Sequence, residues 1–315
     1  MASLVSKEAM SQASSQLVAL VTGGNRGIGL EMVRLLAARH PQWSVYMGSR
    51  STEKGEAALT TLRSSSTATP LPYSNVRVLE LDVNSTPSIA AAAATLSSAH
   101  GRLDVLICNA GVMLRKPPAV ADLVMRTNLY SVHDTLQAMD GLLVSSSQQS
   151  SQQSPLVVVV SSEVSPWTVH QMRGVVRQRV EAANSWAELA ECAADYVRYL
   201  ADPTTAQFTW PAPQSTVYAY GISKALVSAY IRMYARQQPH ITAVCSCPGY
   251  CATDMTAGAV GVQKRSAAEG AESVLWAVEH RAEVVSGRLY QDGAEMPVAQ
   301  ARPRRPRPAP KQQHH

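Results

Sequence analysis

Short, wholly apolar runs recur along this chain, and most are followed by a stretch whose apolar residues return every three or four positions. The first pattern is that of a strand buried on both faces. The second is that of an amphipathic helix. Read in order, Leu17 to Thr22 is a strand, and Leu30 to Arg39 a helix. Ser44 to Ser49 is the second strand, residues 53–64 a helix, and Val76 to Leu81 the third strand. Pro87 to His100 is Ala-rich and helical, Leu103 to Cys108 is the fourth strand, and a long helix follows from Ala119 to Val144. Ser145 to Ser154 reads as a Ser/Gln loop. Leu156 to Val160 is the fifth strand, 218–237 a helix, Ile241 to Cys245 the sixth strand, Ala267 to Glu279 a helix, and Gly287 to Tyr290 a short last strand. Apolar strands alternating with helices imply an α/β fold around a parallel, doubly wound sheet of about seven strands.

One segment breaks the alternation. Residues 163–217 form an insertion with apolar positions at 176, 180, 183, 186, 190, 193, 197 and 200, a helical period. Ser185 and Glu188 have capping-box spacing, so the helix is expected to stop near Asn184 and restart. Pro203, Pro211 and Pro213 end it.

Composition adds boundaries. At 315 residues, with 46% apolar and 16% charged content, the chain has enough material for one large domain, expected over 15–297. No apolar run approaches the ~18 residues of a membrane span. The N-terminus lacks a secretory pattern, and the odd count of five cysteines suits reduced thiols, so a cytoplasmic location is expected. Cys245, Cys247 and Cys251 cluster without a zinc-site spacing, and no metal is expected. The net charge of +5 belongs to the C-terminus. Arg302, Arg304, Arg305, Arg307 and Lys311 account for all five, which leaves residues 1–300 neutral. Residues 1–14 and 298–315 read as disordered ends. The second is Pro-rich and basic, and fits either a solvated tail or a contact for acidic partners.

Candidate chemistry gathers at strand ends. Between the first strand and first helix stands Thr22-Gly23-Gly24-Asn25-Arg26-Gly27-Ile28-Gly29, whose glycines let backbone approach a pyrophosphate at a helix N-terminus. The spacing departs from Gly-x-Gly-x-x-Gly. After the second strand, where an acid would hold a ribose 2′-hydroxyl, stands Arg50. Arg26 and Arg50 suit a 2′-phosphate and favour NADP. Asp82 and Val83 end the third strand at the place for an adenine contact. Tyr220 and Lys224, four apart, share a helix face, and an ammonium beside a phenol lowers its pKa. Alone, the pair also fits an ordinary aromatic–cation contact. Asn128 within the long helix invites a specific partner, since Asn is intrinsically unfavourable there.

The run 22–29, Asn109-Ala110-Gly111, Asn128, Ser162, Tyr220-x-x-x-Lys224 and Pro248-Gly249 stand in the order found in the short-chain dehydrogenase/reductase family, whose members have a Rossmann-type sheet. The resemblance covers about residues 15–296, and within the family the chain is similar to the NADPH-dependent carbonyl reductases, which also carry a helical insertion before the tyrosine. The resemblance implies that Tyr220 protonates a carbonyl oxygen held by Ser162. It also implies that Lys224 lowers the tyrosine pKa and binds the nicotinamide ribose, and that Asn128 places a water in a relay with Lys224. Pro248, Gly249, Cys251 and Thr253 complete the implied NADPH site, and Val164, Tyr250 and Met255 the implied substrate pocket. Cys108 stands where the family usually has the first Asn of Asn-Asn-Ala-Gly. The expected activity is reduction of a small ketone, aldehyde or quinone, by a monomer that binds no nucleic acid. Oxidation of a steroid or retinoid alcohol, and dinucleotide sensing without turnover, are the alternatives.

Overall fold

Val18, Ala19, Leu20 and Val21 are all buried, and this four-residue apolar run forms the central strand β1 (Val18–Val21) of the sheet. The computed structural model describes residues 16–64, 73–115, 119–149, 154–212, 218–257 and 263–296. Among these the sheet has eight strands in the order β3-β2-β1-β4-β5-β6-β7-β8. The others are β2 (Ser44–Ser49), β3 (Val76–Glu80), β4 (Val105–Cys108), β5 (Leu156–Val160), β6 (Thr242–Ser246), β7 (Leu289–Gln291) and β8 (Ala294–Glu295). Every pairing is parallel except β7 with β8. The unanticipated β8 is the return arm of a turn at Asp292 and Gly293, both with positive φ. Its two residues are exposed, too short and too polar to register as a strand in the sequence.

Helices cover both faces. On one lie α1 (Gly27–Arg39), α2 (Thr52–Ser64) and α10 (Ala267–Glu279), packed on Val21, Met47, Ile107, Val158 and Val244. On the other lie α3 (Thr86–His100), α4 (Ala121–Met125), α5 (Ser131–Gln149) and α9 (Tyr218–Gln237), packed on Leu20, Leu106, Val157 and Val159. The alternation of strand side chains between faces splits the core this way. Helix α9 is buried on nearly every side, which is why its apolar pattern runs almost unbroken. Among the described residues no helix is long and apolar enough to cross a membrane.

Two expected boundaries moved. The helix expected over 119–144 holds a π-helical turn at Arg126–Tyr130, between α4 and α5, and runs on to Gln149. The expected Ser/Gln loop is therefore helical at 145–149, while 150–153 lies outside the described residues. Serine hydroxyls satisfy helix carbonyls there: Ser145 donates to Gly141 at 2.8 Å and Ser147 to Val144 at 2.7 Å. The two expected disordered ends, 1–14 and 298–315, lie outside the described residues.

The insertion folds as α6 (Val164–Gln171), α7 (Gly174–Ala182), α8 (Trp186–Ala201) and a 3₁₀ turn at Pro203–Thr205. The break and capping box stand where the sequence places them: Glu188 N–H donates to Ser185 Oγ at 3.3 Å, and Ser185 N–H to Glu188 Oε2 at 3.3 Å. Trp186 stacks on His133 of α5 with ring centroids 4.0 Å apart, and sets its edge to Tyr230 of α9 at 5.3 Å. Arg236 donates to the Ala183 carbonyl at 2.6 Å, and Gln237 to the Asn184 carbonyl at 2.7 Å. The insertion thus lies across the outer faces of α5 and α9.

Candidate active site

In an open α/β sheet the crevice lies at the C-terminal strand ends where the order reverses, here between β1 and β4. The two loops that meet there are the Gly-rich turn 22–29 and Asn109-Ala110-Gly111. Thr22 Oγ1 accepts from the Asn109 and Ala110 N–H groups, both at 3.0 Å. Asn109 Nδ2 donates to the Thr22 carbonyl at 2.9 Å and the Gly23 carbonyl at 3.2 Å. Gly29 must be glycine, because a Cβ there would collide with the Gly23 carbonyl. Gly23 and Gly27 have φ of 63° and 55°, and a Cβ at Gly27 would touch Thr253 Cγ2 at 3.5 Å. The loop after β6 therefore reaches back over the glycine turn, and helix α1 points its N-terminus into the cradle. That is the backbone shape a pyrophosphate needs, so the residues present fit a dinucleotide.

The other predicted cofactor residues surround this cradle. Arg26 is exposed and pairs across its mouth with Asp254 at 3.1 Å, while Arg50 stands exposed after β2. Asn25 is half-buried, and Ile28 packs beneath the turn. Val83 is buried, and Asp82 accepts from the Asn84 N–H at 3.0 Å, closing the turn after β3. Gly249 has φ of 75°, and Cys251 is buried with its thiol on the Pro248 carbonyl at 3.3 Å.

The four predicted catalytic residues come together at one end of the crevice. Helix α9 presents Tyr220 and Lys224, the end of β5 presents Ser162, and the π-helical turn presents Asn128. A π-turn shifts the helix register and often marks a functional site. A Cβ at Gly111 would lie 3.2 Å from Asn128 Oδ1 and 3.7 Å from Lys224 Nζ, so these groups crowd one spot. Asn128 is held by three bonds. Its Oδ1 accepts from Val112 N–H at 2.8 Å, and its Nδ2 donates to the Val112 carbonyl at 2.9 Å and to Ser223 Oγ at 3.0 Å.

The electrostatics differ from expectation in one respect. Lys224 Nζ lies 5.6 Å from the centre of the Tyr220 ring and donates to the Val160 carbonyl at 2.6 Å. Burial pulls its pKa down to about 8. Burial also pushes the Tyr220 phenol upward, the Ser162 hydrogen bond pulls it back, and Cys247 and Glu163 push it further up. The net shift of the phenol is therefore up, not down: the ammonium sits on a backbone carbonyl rather than on the phenol oxygen. The phenol is a fully protonated acid at neutral pH.

Of the predicted substrate residues, Val164 opens α6 and donates its N–H to Ser162 Oγ at 3.4 Å. Tyr250 is half-buried after β6, and Met255 is 42% exposed on a 3₁₀ turn. Sequence reasoning missed Ser223 as the partner of Asn128, and missed Cys247 and Glu163 beside Tyr220. The i+3 relation of Ser223 to Tyr220 was the one available signal for the first. The other two meet the tyrosine only through tertiary packing.

Residues 17–173 match the family model for short chain dehydrogenases. The chain is 29% identical over 281 residues to "Short-chain dehydrogenase/reductase 1" of Saponaria officinalis, covering 78% of this chain and 86% of that one. It is 28% identical over 293 residues to "Carbonyl reductase [NADPH] 1" of Mus musculus, covering 89% and 97%. The solved structure of salutaridine reductase from Papaver somniferum superposes with a TM-score of 0.72 at 25% identity, covering 87% of this chain and 99% of that one. A glycine cradle at the switch point, a Ser–Tyr–Lys group at the crevice end and these relatives lead to one assignment: the chain belongs to the short-chain dehydrogenase/reductase family, close to its carbonyl reductases, and is an oxidoreductase acting between carbonyl and alcohol.

Proposed function

We propose that this protein reduces the carbonyl of a ketone, aldehyde or quinone to an alcohol, with NADPH as hydride donor and Tyr220 as proton donor. The observation that carries this reading is the Tyr220 phenol, kept protonated by burial and hydrogen-bonded to Ser162 at the end of the dinucleotide crevice. NADPH, when bound, supplies the hydride to the carbonyl carbon. As negative charge grows on the carbonyl oxygen, Ser162 donates to it and Tyr220 transfers its proton. Lys224 supplies positive charge behind the tyrosine and takes the ribose hydroxyls. Asn128, fixed on Val112 and Ser223, sets the relay that returns a proton to Tyr220.

Arg26 and Arg50 support NADPH over NADH, since two exposed guanidiniums at the mouth of the cradle complement a 2′-phosphate. For Arg26 this means exchanging Asp254 for the phosphate. Val164, Tyr250 and Met255 line the substrate side. The insertion, laid over α5 and α9, supports a monomer, and the reduced thiols a cytoplasmic site of action. The test is cofactor consumption against a panel of quinones, aldehydes and ketones, with NADPH and NADH compared. Turnover with NADPH on part of that panel is expected. No consumption on any member would refute the reading.

A further inference from the structure

Tyr220, Lys224, Ser228 and Arg232 stand four residues apart and share one face of α9. The first two belong to the candidate active site. The last two line a different space, a cavity of about 270 Å³ between α6, α9 and the strands β6 to β8. Arg232 lies roughly 18 Å along the helix from Tyr220, at ~1.5 Å per residue. None of the candidate catalytic or cofactor residues lines the cavity. Its volume falls just below the ~300–1,000 Å³ of small-molecule pockets, which limits an occupant to a small one. Arg232 is the group that calls for explanation. It is half-buried, and its Nη2 donates to the Val180 carbonyl at 3.3 Å. Among the described residues no carboxylate forms a salt bridge with it. Glu181, beside Val180, is paired with Arg177 at 3.0 Å. Glu295, which also lines the cavity, is paired with Arg288 at 3.1 Å. Cations withdrawn from water are ordinarily matched by an anion, because desolvation alone is costly.

We propose that this cavity is a second binding site, for a small amphiphilic carboxylate whose anionic head pairs with Arg232 and whose short hydrocarbon chain lies on the apolar wall. That wall is supplied by Pro166, Leu289 and Met296. The hydroxyls of Ser165 and Ser228, 3.0 Å apart, add polar groups beside the guanidinium. Two charges of one sign, Arg232 and Arg288, against one of the other, Glu295, leave a single positive charge on the lining, which fits a monoanion. A planar guanidinium matches a carboxylate with two parallel charge-assisted bonds, and apolar contact supplies the rest of the affinity. The site lies outside the catalytic crevice, so the inference does not depend on the reductase reading.

The test is calorimetric titration of the full chain with hexanoate, hexan-1-ol and hexylammonium, three probes of one chain length and different head charge. Hexanoate is expected to bind at one site, ~10-fold or more tightly than the alcohol, the usual worth of a bond to a charged group. Hexylammonium is expected not to bind. Arg232→Met, which keeps the apolar stem and removes the charge, should weaken hexanoate by the same ~10-fold, and Arg232→Lys should restore part of it. Glu295→Gln removes the competing anion and frees Arg288, so it should bind hexanoate more tightly than the wild-type chain. A damaged fold cannot produce that gain. Tyr220→Phe should bind hexanoate as the wild-type chain does, which separates this cavity from the candidate active site. No binding of hexanoate, or equal binding of all three probes, overturns the proposal. So does a hexanoate affinity that Arg232→Met or Glu295→Gln leaves unchanged, or one that Tyr220→Phe abolishes.

Discussion

At the scale of the residue, environment turns two ordinary ionisable groups into a pair set for proton transfer. Lys224 is held on a backbone carbonyl in a buried site, and its pKa of about 8 brings its titration into the working range. Reduction uses the charged form, so kcat/KM for carbonyl reduction should fall as pH rises through about 8. A profile flat from pH 7 to 9.5 would show that the ammonium contributes nothing. Arg50 offers a second prediction. Arg50→Asp should weaken NADPH more than NADH, since an aspartate repels a 2′-phosphate and accepts from a 2′-hydroxyl. Equal losses for the two cofactors in a binding titration would mean that Arg50 does not face the phosphate. Both residues were legible in the sequence because spacing gives them meaning: Lys224 is one turn from Tyr220, and Arg50 directly follows the second strand. Glu163 and Cys247 had no such signal. Their importance comes from the approach of the loop after β6 to the start of α6, which no local pattern encodes.

At the scale of the element, the chain is legible where periodicity is long. Helices α9 and α10 begin and end at the residues the pattern marks, and the capping box starts α8. Legibility fails where a long-range partner overrides composition. The Ser/Gln stretch reads as a loop, yet Ser146 buries its hydroxyl on Asp104 at 2.5 Å and the helix continues. The insertion has a similar hidden pin. Asp195 of α8 is completely buried and accepts from Gln207 N–H at 2.7 Å, Phe208 N–H at 3.0 Å and Trp210 Nε1–H at 2.9 Å. It clamps the chain after the 3₁₀ turn onto the helix that precedes it. Asp195→Ala leaves those donors without an acceptor, at about 1–3 kcal/mol for each buried one. Urea denaturation should show a loss of about 3 kcal/mol or more. A loss under about 1 kcal/mol would mean that water replaces the carboxylate.

At the scale of the whole molecule, the alternation of apolar strands with helices was sufficient to foresee the parallel, doubly wound sheet, while the candidate site residues were read from motifs at strand ends and from the family resemblance. The apolar stripe of the insertion, with its helical period, must be buried against something. The stacking of Trp186 on His133 and its edge contact with Tyr230 show where: on the outer faces of α5 and α9. With those faces occupied, a monomer of 33.8 kDa is expected by sedimentation at micromolar concentration. A stable dimer or tetramer would require contact through a surface other than these helices.

The central claim is that Tyr220 delivers the proton to the substrate oxygen while NADPH delivers the hydride. The most direct measurement is NADPH oxidation by Tyr220→Phe beside the wild-type chain, on the best ketone from the panel, with NADPH affinity determined for both. Removing only the phenol oxygen should lower kcat by ~10²–10⁴-fold, the usual worth of a positioned general acid, and leave NADPH binding nearly intact. A variant that keeps more than about a tenth of the wild-type rate would contradict the account and assign the proton to another donor.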